Sequence, residues 1–298
     1  MAEFRGSYTV MVTPFTERDQ AVDEGRVRQF VDWQIAEGTH GLIPLGSTGE
    51  FLSLTREERR NVAATVIAQA GGRVPVLIGT AAEWTDEAIA MSKEAEALGA
   101  DGVMIVPPYY SSPTEDEIFA HYRRIAEAIT IPIMIYNNPF TSNVDLKPHL
   151  VARLSRIDNI SCIKESSGDV TRINQIGDLC GDRMTVFAGY HPWESYRVGA
   201  AGYVSVFGNI APALSRDLFV ASTGNTDLEQ SRAIYNRVRP LLDAISGDLY
   251  VSATKAALGL VGMPVGEPRP PRLPLPPAKL EPLRDVLAAI GLLEKRAA

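Results

Sequence analysis

The segment IPIMIYNNPFTSNVDLKPHLVARLSRIDNISCIK, residues 131–164, contains the pattern that decides the fold. Two short apolar runs, Ile131–Tyr136 and Ile160–Lys164, flank a longer segment, and this alternation recurs along the chain. Eight such runs are spaced by about 17 to 34 residues, which is typical of strand-turn-helix units. The predicted strands are Tyr8–Thr13, Gly41–Leu45, Pro75–Gly79, Gly102–Val106, Ile131–Tyr136, Ile160–Lys164, Thr185–Ala188 and Gly202–Val206.

Runs this uniformly apolar indicate parallel strands that are buried on both faces. Similar residues do not recur at a fixed interval, so we expect a closed barrel with outer helices rather than a solenoid. The chain has 298 residues, within the roughly 200 to 400 over which a (β/α)8 barrel stays one domain. We therefore predict an α/β fold, a (β/α)8 TIM barrel over residues 1–208 that carries the active site.

Three of the barrel helices have recognisable starts or stops. Thr55 and Glu58 have the spacing of a capping box. The segment Thr85–Ala97 has helical periodicity and stops before Gly99. Three acidic residues follow Thr114, in the first helical turn where the helix dipole favours them.

After residue 208 the pattern becomes entirely helical, and we predict a C-terminal helical extension over residues 209–298. Seven prolines between residues 264 and 277 forbid a continuous helix there. We expect this Pro-rich strap to be ordered and extended rather than a ligand for a proline-binding domain. The predicted helices of the extension are Ala213–Ser222, Thr226–Ile245, Leu249–Val261 and a last one from near Lys279 to about Leu293.

The composition excludes several classes of protein. The formal net charge is −7 and the basic residues are scattered, so we expect no nucleic-acid partner. No apolar run approaches the roughly 18 residues of a membrane span, and no signal-like segment opens the chain, so we expect no membrane association and a cytoplasmic location. The two cysteines, Cys162 and Cys180, have neither disulfide nor zinc spacing and are expected to be reduced structural thiols.

The chain also lacks the usual signals of a bound metal or cofactor. The four histidines are dispersed, without a pair such as HxH or HExxH, so we expect no metal site. Neither GxGxxG nor GxxxxGK[ST] is present, and no redox or nucleotide cofactor is expected.

Polar residues follow the predicted strands at the barrel end where TIM-barrel active sites form. Lys164 closes the sixth strand, where burial would lower its pKa and free the amine to attack a carbonyl. The alternative is a structural ion pair with a neighbour such as Glu165, although strand alternation points Glu165 to the opposite side. Lys255 lies on a helix after the barrel has closed, and we expect it to pack or form a salt bridge.

A lysine that forms an imine needs a partner that moves protons. Tyr136, at the end of the fifth strand, can donate and accept a proton, although a strand-end tyrosine is by default a core aromatic. In the turn after the second strand, Ser47 and Thr48 add hydroxyl groups. With the flanking glycines, that turn also offers N–H groups that could hold a carboxylate, although it could equally be a plain turn.

Four motifs at the ends of the predicted strands resemble, in order and spacing, the motifs of the dihydrodipicolinate synthase and N-acetylneuraminate lyase family. The resemblance covers nearly the whole chain. It implies a (β/α)8 barrel with a helical extension, and a lysine that forms an imine with pyruvate or another 2-oxo acid. The matching motifs are LGSTGE (45–50), PPYY (107–110), IYNNP (135–139) and IKESSG (163–168).

The resemblance also implies roles for individual residues. Lys164 matches the Schiff-base lysine, Tyr136 the proton-shuttling tyrosine and Ser47 the relay hydroxyl. Tyr110 matches a relay tyrosine that a neighbouring subunit inserts, which implies a homo-oligomer, either a dimer or the tetramer usual in the family. The reaction would need no cofactor beyond the covalent imine.

The remaining implied residues bind the substrate. Thr48 matches the residue that holds the pyruvyl carboxylate, and Val204 and Val206 fall where the eighth strand lines the pyruvyl pocket. Gly189 follows the seventh strand. Thr141 stands where dihydrodipicolinate synthases carry an arginine that anchors the carboxylate of their aldehyde substrate.

These departures point away from two known activities. Without the arginine, 4-hydroxy-tetrahydrodipicolinate synthase activity, which belongs to lysine biosynthesis, becomes the alternative. Sialate lyases carry acidic residues after the glycine at position 189 and a serine at position 206, and this chain has neither. We therefore predict an aldolase or dehydratase for a 2-oxo acid of the 2-keto-3-deoxy sugar-acid type.

A third reading belongs to another class, a non-catalytic 2-oxo-acid binding protein. The complete set of Lys164, Tyr136, Ser47 and Tyr110 argues against it, because a binding protein has no need of a proton relay.

Overall fold

The computed structural model describes residues 4–223 and 228–293 and has a barrel of eight parallel strands. The strands follow the order β2-β1-β8-β7-β6-β5-β4-β3. A parallel bridge between Leu42 and Val76 joins the two ends of that order, so the sheet closes on itself. The strands are β1 (Gly6–Val10), β2 (Gly41–Ile43), β3 (Leu77–Gly79), β4 (Gly102–Ile105), β5 (Ile133–Asn137), β6 (Ile160–Glu165), β7 (Thr185–Ala188) and β8 (Gly202–Ser205).

Helices cover the outside of the barrel and continue after β8. The predicted (β/α)8 barrel with a C-terminal helical extension is confirmed. The helices are α1 (Glu24–Ala36), α2 (Arg56–Ala70), α3 (Thr85–Ala97), α4 (Glu115–Ala126), α5 (Pro139–Ser142), α6 (Pro148–Leu154), α7 (Thr171–Cys180), α8 (Pro192–Arg197), α9 (Pro212–Ser222), α10 (Leu228–Ala244), α11 (Tyr250–Leu260) and α12 (Pro277–Ala289).

The predicted helix starts are confirmed by their capping contacts. The Thr55 hydroxyl accepts from the Glu58 amide at 3.2 Å, while the Glu58 carboxylate accepts from the Thr55 amide at 2.8 Å. Thr114 and Glu117 form the same reciprocal pair at the start of α4. Such pairs satisfy amides that have no partner inside the helix.

Several predicted strand ends are displaced by one to three residues. The first strand begins at Gly6 and ends at Val10 instead of Thr13, because the Val12 amide turns to the Asn209 side chain at 3.0 Å. The second ends before Leu45, whose positive φ of 61° leaves the strand conformation. The eighth ends at Ser205, because Val206 has helical backbone angles (φ −76°, ψ −45°).

The C-terminal extension packs on the barrel. α9 contacts β1 and the 3-10 turn after β8. The predicted boundary between the barrel and the extension, at residues 208 and 209, stays a prediction. The start of the helix predicted from Thr226 lies outside the described residues. α12 begins at Pro277 rather than Lys279, since proline fits the first helical turn, and it ends at Ala289 rather than near Leu293.

The Pro-rich strap is extended and held by side-chain contacts. Arg269 contacts the carboxylate of Glu58 and the backbone oxygens of Gln20 and Ser53. Within the described ranges, no helix is long and apolar enough to cross a membrane.

Candidate active site

Two strand ends bring a lysine and a tyrosine together at the mouth of the barrel. In the register of β5 and β6, Tyr136 lies directly beside Lys164. The Lys164 Nζ is 4.0 Å from the centroid of the Tyr136 ring. Both side chains are buried, with 6% and 7% of their surface exposed. Neighbouring positions on adjacent parallel strands point to the same face, so both reach the same side of the sheet.

Lys164 is a buried amine without a counter-charge among the described residues. Burial lowers the pKa of Lys164 to about 7, because the charged ammonium loses its hydration. The carboxylate of Glu165 is engaged elsewhere, accepting from Asn137 Nδ2 at 3.0 Å and from the Ser167 amide at 2.6 Å. The structure therefore favours a free amine over the alternative ion pair with Glu165.

The Tyr136 hydroxyl lies in a polar cluster. Asn138 Nδ2 donates to the Tyr136 Oη at 2.9 Å. Burial raises the pKa of Tyr136 to about 12, although hydrogen bonding from Asn138, Ser166 and Ser47 opposes that rise. The structure thus brings Ser47 to Tyr136, and Tyr136 carries its proton at neutral pH.

The turn after β2 presents the predicted hydroxyls to this cluster. Ser47–Gly49 form a 3-10 turn, in which Thr48 is buried. The Thr13 hydroxyl donates to the Gly49 carbonyl at 2.7 Å and fixes the turn from β1's side. The first amides of such a turn have no partner within it, so they remain free to meet an anionic group.

Glu50, which follows the turn, forms a buried ion pair with Lys255. Lys255 Nζ is 2.7 Å from Glu50 Oε1, and neither side chain is exposed to solvent. The same Nζ lies 4.0 Å from the centroid of the Phe15 ring. The predicted salt-bridge role of Lys255 is confirmed, and the pair ties the extension to the turn that carries Ser47 and Thr48.

Two predicted residues lie apart from the buried cluster. Tyr110 is 86% exposed, because its amide and those of Tyr109 and Ser111 bind the Glu83 carboxylate and hold this segment at the surface. Thr141 is exposed on α5.

The predicted pocket residues of β7 and β8 differ in their settings. Val204 is buried in β8, whereas Val206 lies in the helical turn beyond it and is half-buried. Gly189 follows β7, and a Cβ atom there would lie 1.8 Å from Ser166 Oγ. Only glycine fits this close approach.

Sequence reasoning missed three residues of the site as individual contributors. Asn138 and Ser166 were visible at strand ends, and their position was the signal that could have found them. Tyr250 gave no such signal, since it begins α11 after the barrel has closed. Thr48, Tyr136 and Arg272 all act on the Tyr250 hydroxyl, whose pKa burial raises.

One buried polar atom in the cluster is unsatisfied. Asn138 Oδ1 has no hydrogen-bond partner among the described residues. Buried polar atoms are rarely left unpaired, so a bound molecule that donates a hydrogen bond would complete it. In residues 4–223 and 228–293, no group of three or more His, Cys, Asp or Glu side chains could hold a metal ion. The expectations of no metal and no cofactor stay predictions.

A lysine on a barrel strand, buried beside a tyrosine, defines a class of protein, the barrel lyases that work through a lysine imine. The comparisons agree, because residues 3–290 match the model of the dihydrodipicolinate synthetase family. The chain belongs to this family, and it is a class I lyase.

Individual relatives match nearly the full length of the chain. The 4-hydroxy-tetrahydrodipicolinate synthase of Syntrophobacter fumaroxidans is 38% identical over 97% of this chain and 100% of its own. The chloride-inhibited dihydrodipicolinate synthase of Acinetobacter baumannii, solved with pyruvate, is 35% identical with a TM-score of 0.92, covering 97% and 99%. A prophage protein of the same family from E. coli K12, also solved with pyruvate, is 31% identical with a TM-score of 0.93, covering 98% and 100%.

Proposed function

We propose that Lys164 forms an imine with the C2 carbonyl of pyruvate or another 2-oxo acid. The observation that carries this proposal is the buried Lys164 amine, unpaired among the described residues and held against Tyr136. The neutral amine attacks C2, the carbonyl oxygen takes up a proton, and loss of water leaves a C=N bond to Nζ. The two relatives solved with pyruvate support this choice of substrate fragment.

The protonated imine then serves as the electron sink, so the reaction needs no further cofactor. Loss of a C3 proton gives an enamine, whose C3 attacks the carbon of an aldehyde and forms a C–C bond. The reverse sequence cleaves that bond and releases the aldehyde. Tyr136 moves the protons, with Ser47 as the neighbouring hydroxyl of the relay.

The pyruvyl end is proposed to lie between the turn after β2 and the end of β8. Thr48 and the amides of its turn hold the carboxylate. Val204 and Val206 line the apolar side, and Gly189 leaves room beside Ser166. The unsatisfied Asn138 Oδ1 is proposed to accept a hydrogen bond from the substrate.

The names of the relatives favour the alternative activity over the sugar-acid prediction. Relatives at 35–38% identity are 4-hydroxy-tetrahydrodipicolinate synthases. Addition of water to that seven-carbon cyclic product and removal of pyruvate leave a four-carbon amino acid with a terminal aldehyde, aspartate semialdehyde. We propose condensation of pyruvate with an aldehyde of this kind as the leading activity. The enzyme names also favour catalysis over the non-catalytic binding protein.

Thr141 supports a second candidate. The carboxylate-anchoring arginine that the family resemblance implies at this position is replaced by a small hydroxyl side chain. Cleavage of a 2-keto-3-deoxy sugar acid, whose tail is a neutral polyol at this point, therefore remains the competing proposal.

A paired assay tests the two candidates. The purified enzyme is given pyruvate with aspartate semialdehyde, and separately 2-keto-3-deoxygluconate, while pyruvate is followed by NMR. Consumption of pyruvate only in the first mixture supports the synthase. Release of pyruvate only in the second overturns it in favour of the sugar-acid lyase. If neither mixture changes, both candidates fail.

We also propose that the active form is a homo-oligomer in which Tyr110 enters a neighbouring subunit. Its 86% exposure leaves the ring available for such a contact. Light scattering after gel filtration measures the molecular mass of the oligomer. Tyr110→Phe is expected to lower turnover without changing that molecular mass. A monomer of full activity would contradict this proposal.

Imine formation is expected to depend on pH through Lys164. Because its pKa is lowered to about 7, the ammonium form dominates below that pH and cannot attack. The rate of adduct formation with pyruvate should therefore fall about tenfold per unit below pH 7 and level off above it. Stopped-flow measurement at several pH values checks this. A rate that keeps rising to near pH 10 would assign Lys164 an ordinary pKa.

Loss of the Tyr136 hydroxyl is expected to slow the reaction while the site remains assembled. Tyr136→Phe keeps the ring beside Lys164 but removes the proton donor, so kcat should fall by roughly 10² to 10⁴. Tyr122→Phe is the matched control, since the Tyr122 hydroxyl is also buried but donates to the Ile105 carbonyl. Steady-state kinetics of both variants measure the difference. Equal losses in the two variants would contradict a proton-transfer role.

A further inference from the structure

The Pro-rich strap carries two arginines in different situations. Arg269 is engaged by Glu58 and by the backbone oxygens of Gln20 and Ser53. Arg272 forms no ion pair with any described carboxylate. The Arg272 guanidinium lies over the face of the Tyr250 ring, with 5.4 Å between Cζ and the ring centroid. Arg272 is half-buried, and its guanidinium donors have no hydrogen-bond partner in residues 4–223 and 228–293.

The strap is anchored on both sides of Arg272. The Arg272 amide donates to the Arg269 carbonyl at 3.1 Å, which places Arg272 one turn beyond the fixed Arg269 side chain. On the other side, the Ser252 hydroxyl donates to the Leu273 carbonyl at 2.7 Å. Because Ser252 belongs to α11, this bond holds the strap against the helix that begins with Tyr250. Arg272 is thus held at a defined position over Tyr250.

Tyr250 connects this position with the catalytic cluster. Its buried hydroxyl interacts with Thr48, and the hydroxyl groups of Tyr136 and Tyr190 act on it electrostatically. Arg272 stacks on the same ring. The path from Lys164 to the guanidinium of Arg272 therefore runs over neighbouring residues. Ser47 meets the Tyr136 hydroxyl, and the next residue, Thr48, meets the Tyr250 hydroxyl under the Arg272 side chain.

We propose that Arg272 is a specificity residue that binds a second carboxylate, at the end of the substrate remote from the carbon that reacts with Lys164. This inference rests on the proposed imine chemistry and names its substrate class, a 2-oxo acid or aldehyde partner with an anionic tail. A guanidinium without a counter-charge gains two charge-assisted hydrogen bonds from a carboxylate. The exposed hydroxyl of Thr141 offers no such charge.

Matched 2-oxo acids measure this preference directly. 2-Oxoglutarate is compared with 2-oxopentanoate, and 2-oxoadipate with 2-oxohexanoate, so that each pair differs in the distal carboxylate. Each acid is trapped on the enzyme with borohydride, which reduces the C=N bond to a stable amine, and intact mass gives the concentration for half-maximal labelling. Pyruvate is trapped in parallel as the tail-free reference.

The variants are Arg272→Gln, Arg272→Lys and, as a matched control, Arg28→Gln. Arg28 is an exposed arginine on α1 that pairs with Glu24, so its loss changes the net charge equally. We expect the wild type and Arg28→Gln to favour at least one dicarboxylate over its partner by tenfold or more. Arg272→Gln should abolish that preference and leave pyruvate labelling unchanged, and Arg272→Lys should restore it in part.

Other outcomes overturn the inference. A dicarboxylate preference that survives in Arg272→Gln would place the anion site elsewhere. The absence of any such preference in the wild type would exclude a site for a second carboxylate. An equal loss of labelling by pyruvate, dicarboxylates and monocarboxylates in Arg272→Gln would show a structural role only. If the wild type does not trap pyruvate, the proposed function itself fails and the inference falls with it.

Discussion

Lys164→Met is expected to abolish the covalent adduct with pyruvate and to lower turnover by a factor of roughly 10³ or more. Methionine fills a similar volume but has no amine, so the imine cannot form. The fold should persist, because the substitution removes a buried amine that has no counter-charge among the described residues. Intact mass after borohydride reduction measures the adduct, and circular dichroism measures the fold.

The matched control is Lys93→Met, which removes an exposed lysine from α3 on the outside of the barrel. This variant should gain the mass of one reduced pyruvyl unit, as the wild type does. If Lys164→Met still forms the adduct, another amine is the nucleophile. If it loses the adduct but keeps full turnover, the reaction does not proceed through an imine.

The second large effect concerns stability. Lys255→Met leaves Glu50 buried without its counter-charge, and we expect the free energy of unfolding to fall by about 3 to 5 kcal/mol. Burial lowers the pKa of Lys255 to about 8 even though the Glu50 charge opposes this shift, which shows how far the pair is removed from water. Urea denaturation at a fixed protein concentration gives the measurement.

Arg60→Met is the control for this prediction. Arg60 also forms an ion pair, with Glu94 at 2.9 Å, but the two side chains are 55% and 30% exposed. Its loss should cost less than about 1 kcal/mol because solvent screens the pair. Replacing both buried partners, in Lys255→Met with Glu50→Gln, should restore part of the stability. Equal effects of Lys255→Met and Arg60→Met would contradict the importance of burial.

Function was less predictable than fold. The chemical class was predicted correctly, since Lys164 at a strand end is a strong local signal and the family is now shown. The expected sugar-acid substrate was derived from one position, Thr141. The relatives support the synthase alternative better. If Arg272 binds the distal carboxylate as proposed, a missing arginine at position 141 does not exclude an anionic substrate. A single position is a weak guide because a charge can be supplied from another segment.

The sequence by itself determined those features that depend on near neighbours. The apolar runs predicted eight strands, and Thr55 with Glu58 predicted a helix start, because side-chain period and capping act over a few residues. Strand alternation also predicted that Glu165 turns away from Lys164. The displaced end of the first strand arose where a local apolar run continued but the chain turned to meet a distant partner, since the Val12 amide donates to the Asn209 side chain.

Only the tertiary structure decided which distant segments share the barrel mouth. Glu50 and Lys255 are about 200 residues apart in the chain, yet they form one buried ion pair. Tyr250 and Arg272 come from the helical extension, and no periodic pattern places Tyr250 beside Thr48 or Arg272 over the Tyr250 ring. Such contacts form when the barrel closes and the strap packs over it, so their partners are selected by burial and charge in the folded protein rather than by spacing along the sequence.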